Sequence, residues 1–428
     1  MKKIQIKNSL LKWNKAQKII PCGTMTMSKS PKYYVMGASP IYLKKGKGSH
    51  VWDVDGNEYI DYILALGPVV LGYCYPAVDR AVIKQLKDGI TFSLMHPCEI
   101  ELAEKLRRLI PSAESVRFLK TGSEAASAAI RIARGYTNRS IVAACGYHGW
   151  HDWYIGTTVR NLGVPKEVQS LTKTFKYNDI DSLKKLFKKY PNKIAAVIME
   201  PVGIEAPRNS FLQQVRNITH KYGAVLIFDE IITGFRLNLG GAQAYFNVTP
   251  DLSCFGKAIA NGFPLAAVVG RKKIMNTLEK AFVSSTFGGE AVSIKAALAT
   301  LDEIEKKDVC GYILKKGEEL KRSFNNIAKE LNLDVEMVGL PHKTACIFRD
   351  REGKPSQLLK SLFLQEVMAQ GVIIGNGQFI SYSHTQADLE KTVSACRNAL
   401  KTLKFAQEKN KVAQLLRGKV SEEVFRKP

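Results

Sequence analysis

No two cysteines in this chain are spaced as a CxxC pair. The eight, at positions 22, 74, 98, 145, 254, 310, 346 and 396, stand singly. That spacing excludes a cysteine-clustered zinc site and a disulfide framework, and it fits a reducing compartment. Long apolar runs are missing too, and none approaches the roughly 18 residues of a membrane span. The first twenty residues, MKKIQIKNSLLKWNKAQKII, are basic and amphipathic. They lack the continuous apolar core and small-residue cleavage site of an export signal. These absences lead to the expectation of a cytoplasmic protein with no membrane partner.

Acidic residues are also scarce, 39 against 63 lysines and arginines, for a net charge of +24. A field of that sign can attract nucleic acid or an anionic substrate. The lysines, however, spread along helical segments such as 181–190. They do not gather in one stripe with aromatics. The reading is a solvated lysine-rich surface, without a nucleic-acid partner. Internal repeats and low-complexity linkers are absent as well.

What remains is an ordinary globular composition, 45% hydrophobic and 24% charged over 428 residues, enough for two to three domains. An amphipathic helix is expected over 8–20, then a turn-rich stretch over 21–40. Short strands follow at 41–43, 51–54 and 59–62, the last two joined by a turn at Asp55-Gly56. From residue 76, helices alternate with apolar strands at 116–119, 141–144, 195–199, 224–228, 251–255 and 265–269. This alternation predicts an α/β fold with a mostly parallel sheet covered on both faces. Beyond a helix at 292–306, helices at 308–331, 358–370 and 388–403 with strands at 335–339 and 344–348 make a smaller α+β unit. The domains expected are 1–65 as part of the small domain, 66–305 as the large domain, 306–404 as its C-terminal partner, and 405–428 as a basic tail.

Two strand ends carry the sharpest chemistry. The run GAVLIFDE ends an apolar strand in Asp229, and DLSCFGK ends another in Gly256-Lys257. An acid and an amine leaving one sheet edge are what pyridoxal phosphate (PLP) requires. The amine forms an imine with the aldehyde, and the acid keeps the pyridine nitrogen protonated. Thr121-Gly122-Ser123-Glu124 sits where a strand meets a helix start, a place where backbone N–H groups bind anions. Gly146-Tyr147-His148-Gly149-Trp150-His151 offers rings to stack on a flat cofactor. His148 and His151 are three apart, but no third ligand with known spacing is evident, so no metal is expected. Glu200 closes another strand, and Thr286 lies in a loop that can supply a further phosphate donor. Five such loops at the ends of five strands converge where open α/β sheets bind ligands.

Over about residues 21–403 the chain resembles the class III aminotransferases, and within them the glutamate-1-semialdehyde 2,1-aminomutase branch. The matching text includes VWDVDGNEYIDY, TGSEAASAAIRIARGYTNR, GYHGWHD, MEPV, LIFDEIITGFR, GGAQAYFNVTPDLSCFGKAIANGFPLAAVVG and SYSHTQADLEKT. The resemblance implies PLP fold type I, aspartate aminotransferase-like, with PLP and its pyridoxamine form as cofactors. It makes Lys257 the Schiff-base lysine and proton shuttle, and Asp229 the partner of the pyridine nitrogen. Ile231 and Tyr147 pack the two ring faces, and Gly122 and Ser123 bind the phosphate. His148 and Glu200 sit near the cofactor, and Thr286 reaches the phosphate in a partner subunit. The last role implies a homodimer with shared active sites.

The substrate shell departs from the aminomutase pattern. Ser-Pro-Val-Arg becomes Ser30-Pro31-Lys32-Tyr33, which removes an arginine that grips a substrate carboxylate. The loop 156–165 is shortened, Ser-Gly-Asn-Pro becomes Phe287-Gly288-Gly289-Glu290, and a stretch before SYSHT is missing. The expected activity is amino transfer between a small-molecule donor and a ketone or aldehyde. The altered shell resembles that of aminotransferases of surface-glycan pathways, which implies a sugar-like carbonyl. Lys32, Tyr33, Arg160 and Arg236 are the candidate substrate contacts. The aminomutase reaction itself is the alternative, and a basic binding protein on a retained fold is a third reading.

Overall fold

The computed structural model describes residues 4–422, which divide into two compact units. One joins the residues up to 75 with those from 312 onward, and the other is the intervening 76–311.

The first unit begins with helix α1 (Lys7–Ile19) and three antiparallel strands, β1 (Leu43–Lys47), β2 (His50–Asp53) and β3 (Glu58–Asp61). Gly56 turns the β2–β3 hairpin at φ +90°, and Asp53 fastens it by accepting from the amides of Asp55 and Asn57. β1 lies two residues further on than the apolar text at 41–43 suggests. It is an edge strand reading LKKGK, and edge strands favour lysine because the charge blocks further pairing.

The second unit is built on a seven-stranded sheet. Helices α2 (Pro76–Asp88) and α3 (Cys98–Leu109) lead into β4 (Ser115–Leu119), α4 (Gly122–Thr137), β5 (Ile141–Cys145) and β6 (Thr172–Thr174). Then follow α5 (Ile180–Lys189), β7 (Ile194–Met199), α6 (Phe211–Lys221), β8 (Val225–Asp229), β9 (Leu252–Phe255), β10 (Ala266–Gly270) and α7 (Ala291–Lys306). The strand order is β4-β10-β9-β8-β7-β5-β6. β10 alone runs antiparallel to its neighbours, so β4, β9, β8, β7 and β5 all present their carboxyl ends at one edge.

Side-chain alternation along these strands splits the core into two layers. Val142, Ala144, Ile198, Ile227 and Cys254 face α4. Ile141, Ala143, Val197, Leu226 and Phe228 face α5 and α6. β7 and β8 are buried along their whole length, as strands covered on both faces must be. The mostly parallel α/β architecture expected from the alternating pattern is present.

Returning to the first unit, the chain supplies α8 (Val309–Glu330), β11 (Val335–Leu340), β12 (Lys343–Phe348), α9 (Gln357–Ala369), β13 (Val372–Ile373) and α10 (Gln386–Glu408). β11 and β12 form their own hairpin. β13 pairs in parallel with β3, so both chain ends build one four-stranded sheet. No helix among the described residues is long and apolar enough to cross a membrane.

Candidate active site

The carboxyl edge of the large sheet is where the strands ending before Thr121, Gly146, Glu200, Ile231 and Gly256 release their loops. β4 ends at Leu119, and two residues on, Thr121 is the N-cap of α4. Its hydroxyl accepts from the Glu124 amide, while the Glu124 carboxylate accepts from the Thr121 amide. This capping box satisfies the third amide of the helix and leaves those of Gly122 and Ser123 without an intrahelical partner. A sixteen-residue helix thus points its positive end and two donors out of the sheet edge.

β5 ends at Cys145, and Gly146 and Gly149 bend the following loop at φ +102° and +99°. A side chain is strained at both. A Cβ on Gly149 would lie 2.3 Å from Ser123 Oγ, and one on Gly146 would lie 3.0 Å from Glu200 Oε2. The loop therefore sits directly on the start of α4 and beside the end of β7. Its aromatics interlock: the Tyr147 and Tyr154 rings meet edge-on at 5.6 Å, and the Tyr154 hydroxyl donates to the Gly146 carbonyl.

Ile231, two residues past β8, closes a third side. A Cβ on Gly122 or on Gly256 would come within 3.1 or 3.0 Å of it. The loops after β4, β8 and β9 thus meet at one isoleucine. Lys257 follows Gly256, half-buried, with φ +42°, a left-handed conformation that costs a non-glycine residue about 1–2 kcal/mol. Asp229 ends β8, and its strand pairs directly with β9 through Asp229↔Cys254.

Asp229 is buried and does not stand alone. Its Oδ2 lies 2.8 Å from His148 Nδ1, and its Oδ1 accepts from the Ile231 amide at 3.1 Å. His148 has no exposed side-chain surface. Its Nε2 lies 3.2 Å from the Cys145 carbonyl. A carbonyl only accepts, so Nε2 is the donor in that contact. The neighbouring Cys254 thiol is pushed well up, first by burial and then by the charge of Asp229.

The next residue, Glu230, does different work. It is wholly buried and accepts from the amides of Ala242 and Gln243, from the Gln243 amide side chain and from Thr233. Burial raises its pKa and these bonds oppose the rise. Glu230 ties down the loop after β8, and Asp229 faces the site.

The remaining sequence candidates are dispersed. His151 binds Ser127 Oγ at 2.7 Å through Nδ1, so the two histidines point to different partners. No group of three or more His, Cys, Asp or Glu among the described residues could hold a metal ion. Arg160 and Thr286 are exposed within the same unit. Arg236, the remaining candidate substrate contact in this unit, lies inside it. It has no exposed surface and donates to the Ile232 carbonyl at 3.1 Å, and burial lowers its pKa to about 10. Lys32 and Tyr33 belong to the other unit. Tyr33 is buried, and Lys32 is exposed, 3.7 Å from Glu422. Sequence reading missed the direct bond between His148 and Asp229, and the Lys120–Glu290 pair at 2.8 Å that braces α4 against α7. The only signal for the first was a histidine placed straight after a fully buried strand.

Residues 33–400 match the family described as Aminotransferase class-III. The chain belongs to this family. It is 38% identical over 412 residues to the 3-aminobutyryl-CoA aminotransferase of Cloacimonas acidaminovorans (strain Evry), with 94% of this chain and 99% of that protein covered. It is 36% identical over 419 residues to the glutamate-1-semialdehyde 2,1-aminomutase of Desulforamulus reducens, with 91% and 96% covered. Among solved structures, the FumI protein of Sphingopyxis sp. MTA144, in its PLP internal aldimine form, superposes with a TM-score of 0.87 at 26% identity over 93% of this chain and 97% of that one. Class III aminotransferases depend on PLP, and this enzyme is one of that fold. The residues at its sheet edge fit the cofactor. Gly122 and Gly256 leave a cradle beside Ile231 that a Cβ would fill, α4 offers two amides to an anion, and a buried acid faces an amine-bearing loop.

Proposed function

We propose that this enzyme moves an amino group between a separate donor and a carbonyl acceptor that lacks a free carboxylate next to the reacting carbon. The observation that carries the catalytic half of this reading is the pairing of β8 with β9, which sets Asp229 and the Gly256-Lys257 step on adjacent strand ends. Bound there, PLP supplies an electron sink for the substrate carbon. Lys257 tethers the cofactor through its ε-amine and then carries the proton to and from the substrate. Asp229, held by His148, faces the pyridine nitrogen. Ile231 and Tyr147 pack the two ring faces, the amides of Gly122 and Ser123 take the phosphate, and Glu200 lines the rim. Thr286, exposed in this chain, reaches the phosphate of a second copy, which makes the working enzyme a homodimer. Eight free cysteines support a cytoplasmic setting.

The substrate half rests on Ser30-Pro31-Lys32-Tyr33, where no arginine offers a bidentate grip on a carboxylate. Likeness to a protein named for 3-aminobutyryl-CoA, an amine carried on an acyl thioester, supports a 3-oxoacyl thioester as the carbonyl side of the reversible exchange, and a sugar-like carbonyl meets the same condition. Both commonly ride on a phosphorylated carrier, which a chain of net charge +24 attracts. The aminomutase reaction is the second reading, favoured by 36% identity to an enzyme of that name.

Two experiments test the proposal. Borohydride trapping and peptide mapping should put the cofactor mass on the peptide that holds Lys257, and a label on any other lysine overturns the site. Amino donors are then screened by loss of the bound cofactor's absorbance, with 3-oxoacyl thioesters, keto sugars and free keto acids offered as acceptors. Turnover of the first or second class supports the reading. Repeated conversion of glutamate-1-semialdehyde to 5-aminolevulinate by the pyridoxamine form, with no donor added, assigns the aminomutase reaction instead.

A further inference from the structure

The family match ends at residue 400, yet the segment that follows α10 is firmly built into the first unit. It crosses α9 and then runs along the loop that holds Ser30-Pro31-Lys32-Tyr33. The Gln365 side chain donates to the Leu415 carbonyl at 3.0 Å and accepts from the Arg417 amide. Arg417 also pairs with Glu366 at 3.0 Å, and that glutamate is only 6% exposed. Further on, the Lys419 amide donates to the Met36 carbonyl at 3.1 Å and the Glu422 amide to the Lys32 carbonyl at 2.7 Å. As 419 meets 36 and 422 meets 32, the two segments run antiparallel. Ser421 is buried against α9, bonded to Ser361 and Gln357, and so anchors the segment on that helix. Gly418 gives the closest approach, since a Cβ there would lie 2.3 Å from the Met36 carbonyl oxygen.

These contacts reach the main chain of residues 32 and 36, so they fix where the loop lies irrespective of its side chains. The loop has little regular structure of its own, a single 3-10 turn over Pro31–Tyr33. Its position is therefore set from outside.

We infer that residues 415–422 are a positioning strap that holds loop 30–38 in its substrate-selective conformation, an inference that rests on reading Lys32 and Tyr33 as substrate contacts. The strap sets how well substrate is seated and leaves the cofactor chemistry untouched. A loop that must be ordered anew at each binding event weakens binding, and one already ordered does not.

The test compares the full enzyme with Gly418→Val, which drives a side chain into the Met36 carbonyl, and with Ser421→Ala, which removes hydrogen bonds and adds no bulk. Hydrogen–deuterium exchange of amides 33–38 should speed up by about tenfold or more in Gly418→Val. KM for the carbonyl substrate should rise about tenfold, while kcat and the bound cofactor's absorbance stay close to those of the parent. Ser421→Ala should move both readouts the same way by a smaller factor, and it carries the test if the valine variant does not fold. Unchanged exchange and unchanged KM in a folded strap variant overturn the inference. Lys32→Ala and Tyr33→Ala separate the two claims. If they raise KM and the strap variants do not, the loop reading stands and the strap falls. If neither loop substitution moves KM, the loop reading fails and the strap loses its role in selectivity with it.

Discussion

His148 shows how much one side chain settles at this sheet edge. It lies between a carbonyl that can only accept and an acid that is nearly out of contact with water. Removing it leaves one buried oxygen of Asp229 without its hydrogen-bond partner, which costs about 1–3 kcal/mol. His148→Phe should therefore lower the unfolding free energy by that amount in denaturant titrations and weaken cofactor retention. His148→Asn, which keeps one polar partner, should lose less. Equal stability of the phenylalanine variant and the parent would rule out the pairing. The places of Asp229 and Lys257 at strand ends were legible from sequence because a charged residue that ends an apolar run has few reasons to be there. The burial of Arg236 was not legible in the same way. Its charge looked available to a substrate, and nothing in GFRLN announces that the head group turns inward to the Ile232 carbonyl. The His148–Asp229 bond joins residues 81 positions apart and could not be read from spacing.

Among the elements, the loop after β5 depends on glycine at one point above all. Gly149 combines φ +99° with a Cβ position 2.3 Å from Ser123 Oγ, so Gly149→Ala meets both backbone strain and a clash with α4. It should lose about 1–3 kcal/mol of stability and release cofactor more readily, measured by thermal shift and by dialysis. Normal cofactor retention would mean that the loop does not set the helix start. A second prediction concerns β2, β3 and α10, which meet at His50. Its hydrogen bond to Asp388 at 2.9 Å, together with Glu58 at 2.7 Å, raises its pKa above the ordinary 6.5. A raised folded value stabilises fully below the unfolded one and loses that contribution as pH climbs through the folded one. The melting temperature should thus fall from about pH 6.5 upward, and His50→Gln should flatten that decline; an unaltered slope refutes it. At the other end, burial pushes Asp388 up, but hydrogen bonds from His50, Thr385 and Ser49 hold it well below the usual carboxylate range. Element positions were legible wherever burial writes a hydrophobic pattern, as in β7 and β8. β13 has two residues and β1 reads LKKGK, so neither carries one. The reversed direction of β10 leaves no trace in its own side chains.

For the whole molecule, apolar surface points to association. Leu94, Met95, Phe282 and Phe287 are 84%, 88%, 80% and 56% exposed. Leu94 and Met95, with Phe92 and Thr286, also line an open cavity of about 830 Å³. Large apolar side chains left this open to water are typical of association surfaces. Met95→Asp with Leu94→Asp should convert a dimer to monomers in sedimentation, with loss of activity, and a stable active monomer would refute shared sites. A further consequence follows from the interleaved sheet, in which β3 near one chain end pairs with β13 near the other. On the ribosome, the stretch 76–311 has all its strands as soon as it emerges and can close by itself. The first 75 residues meanwhile wait, open to chaperones, until some three hundred more have been translated and their missing strand arrives. Slow decoding late in the message would lengthen that vulnerable interval, while slow decoding early would not.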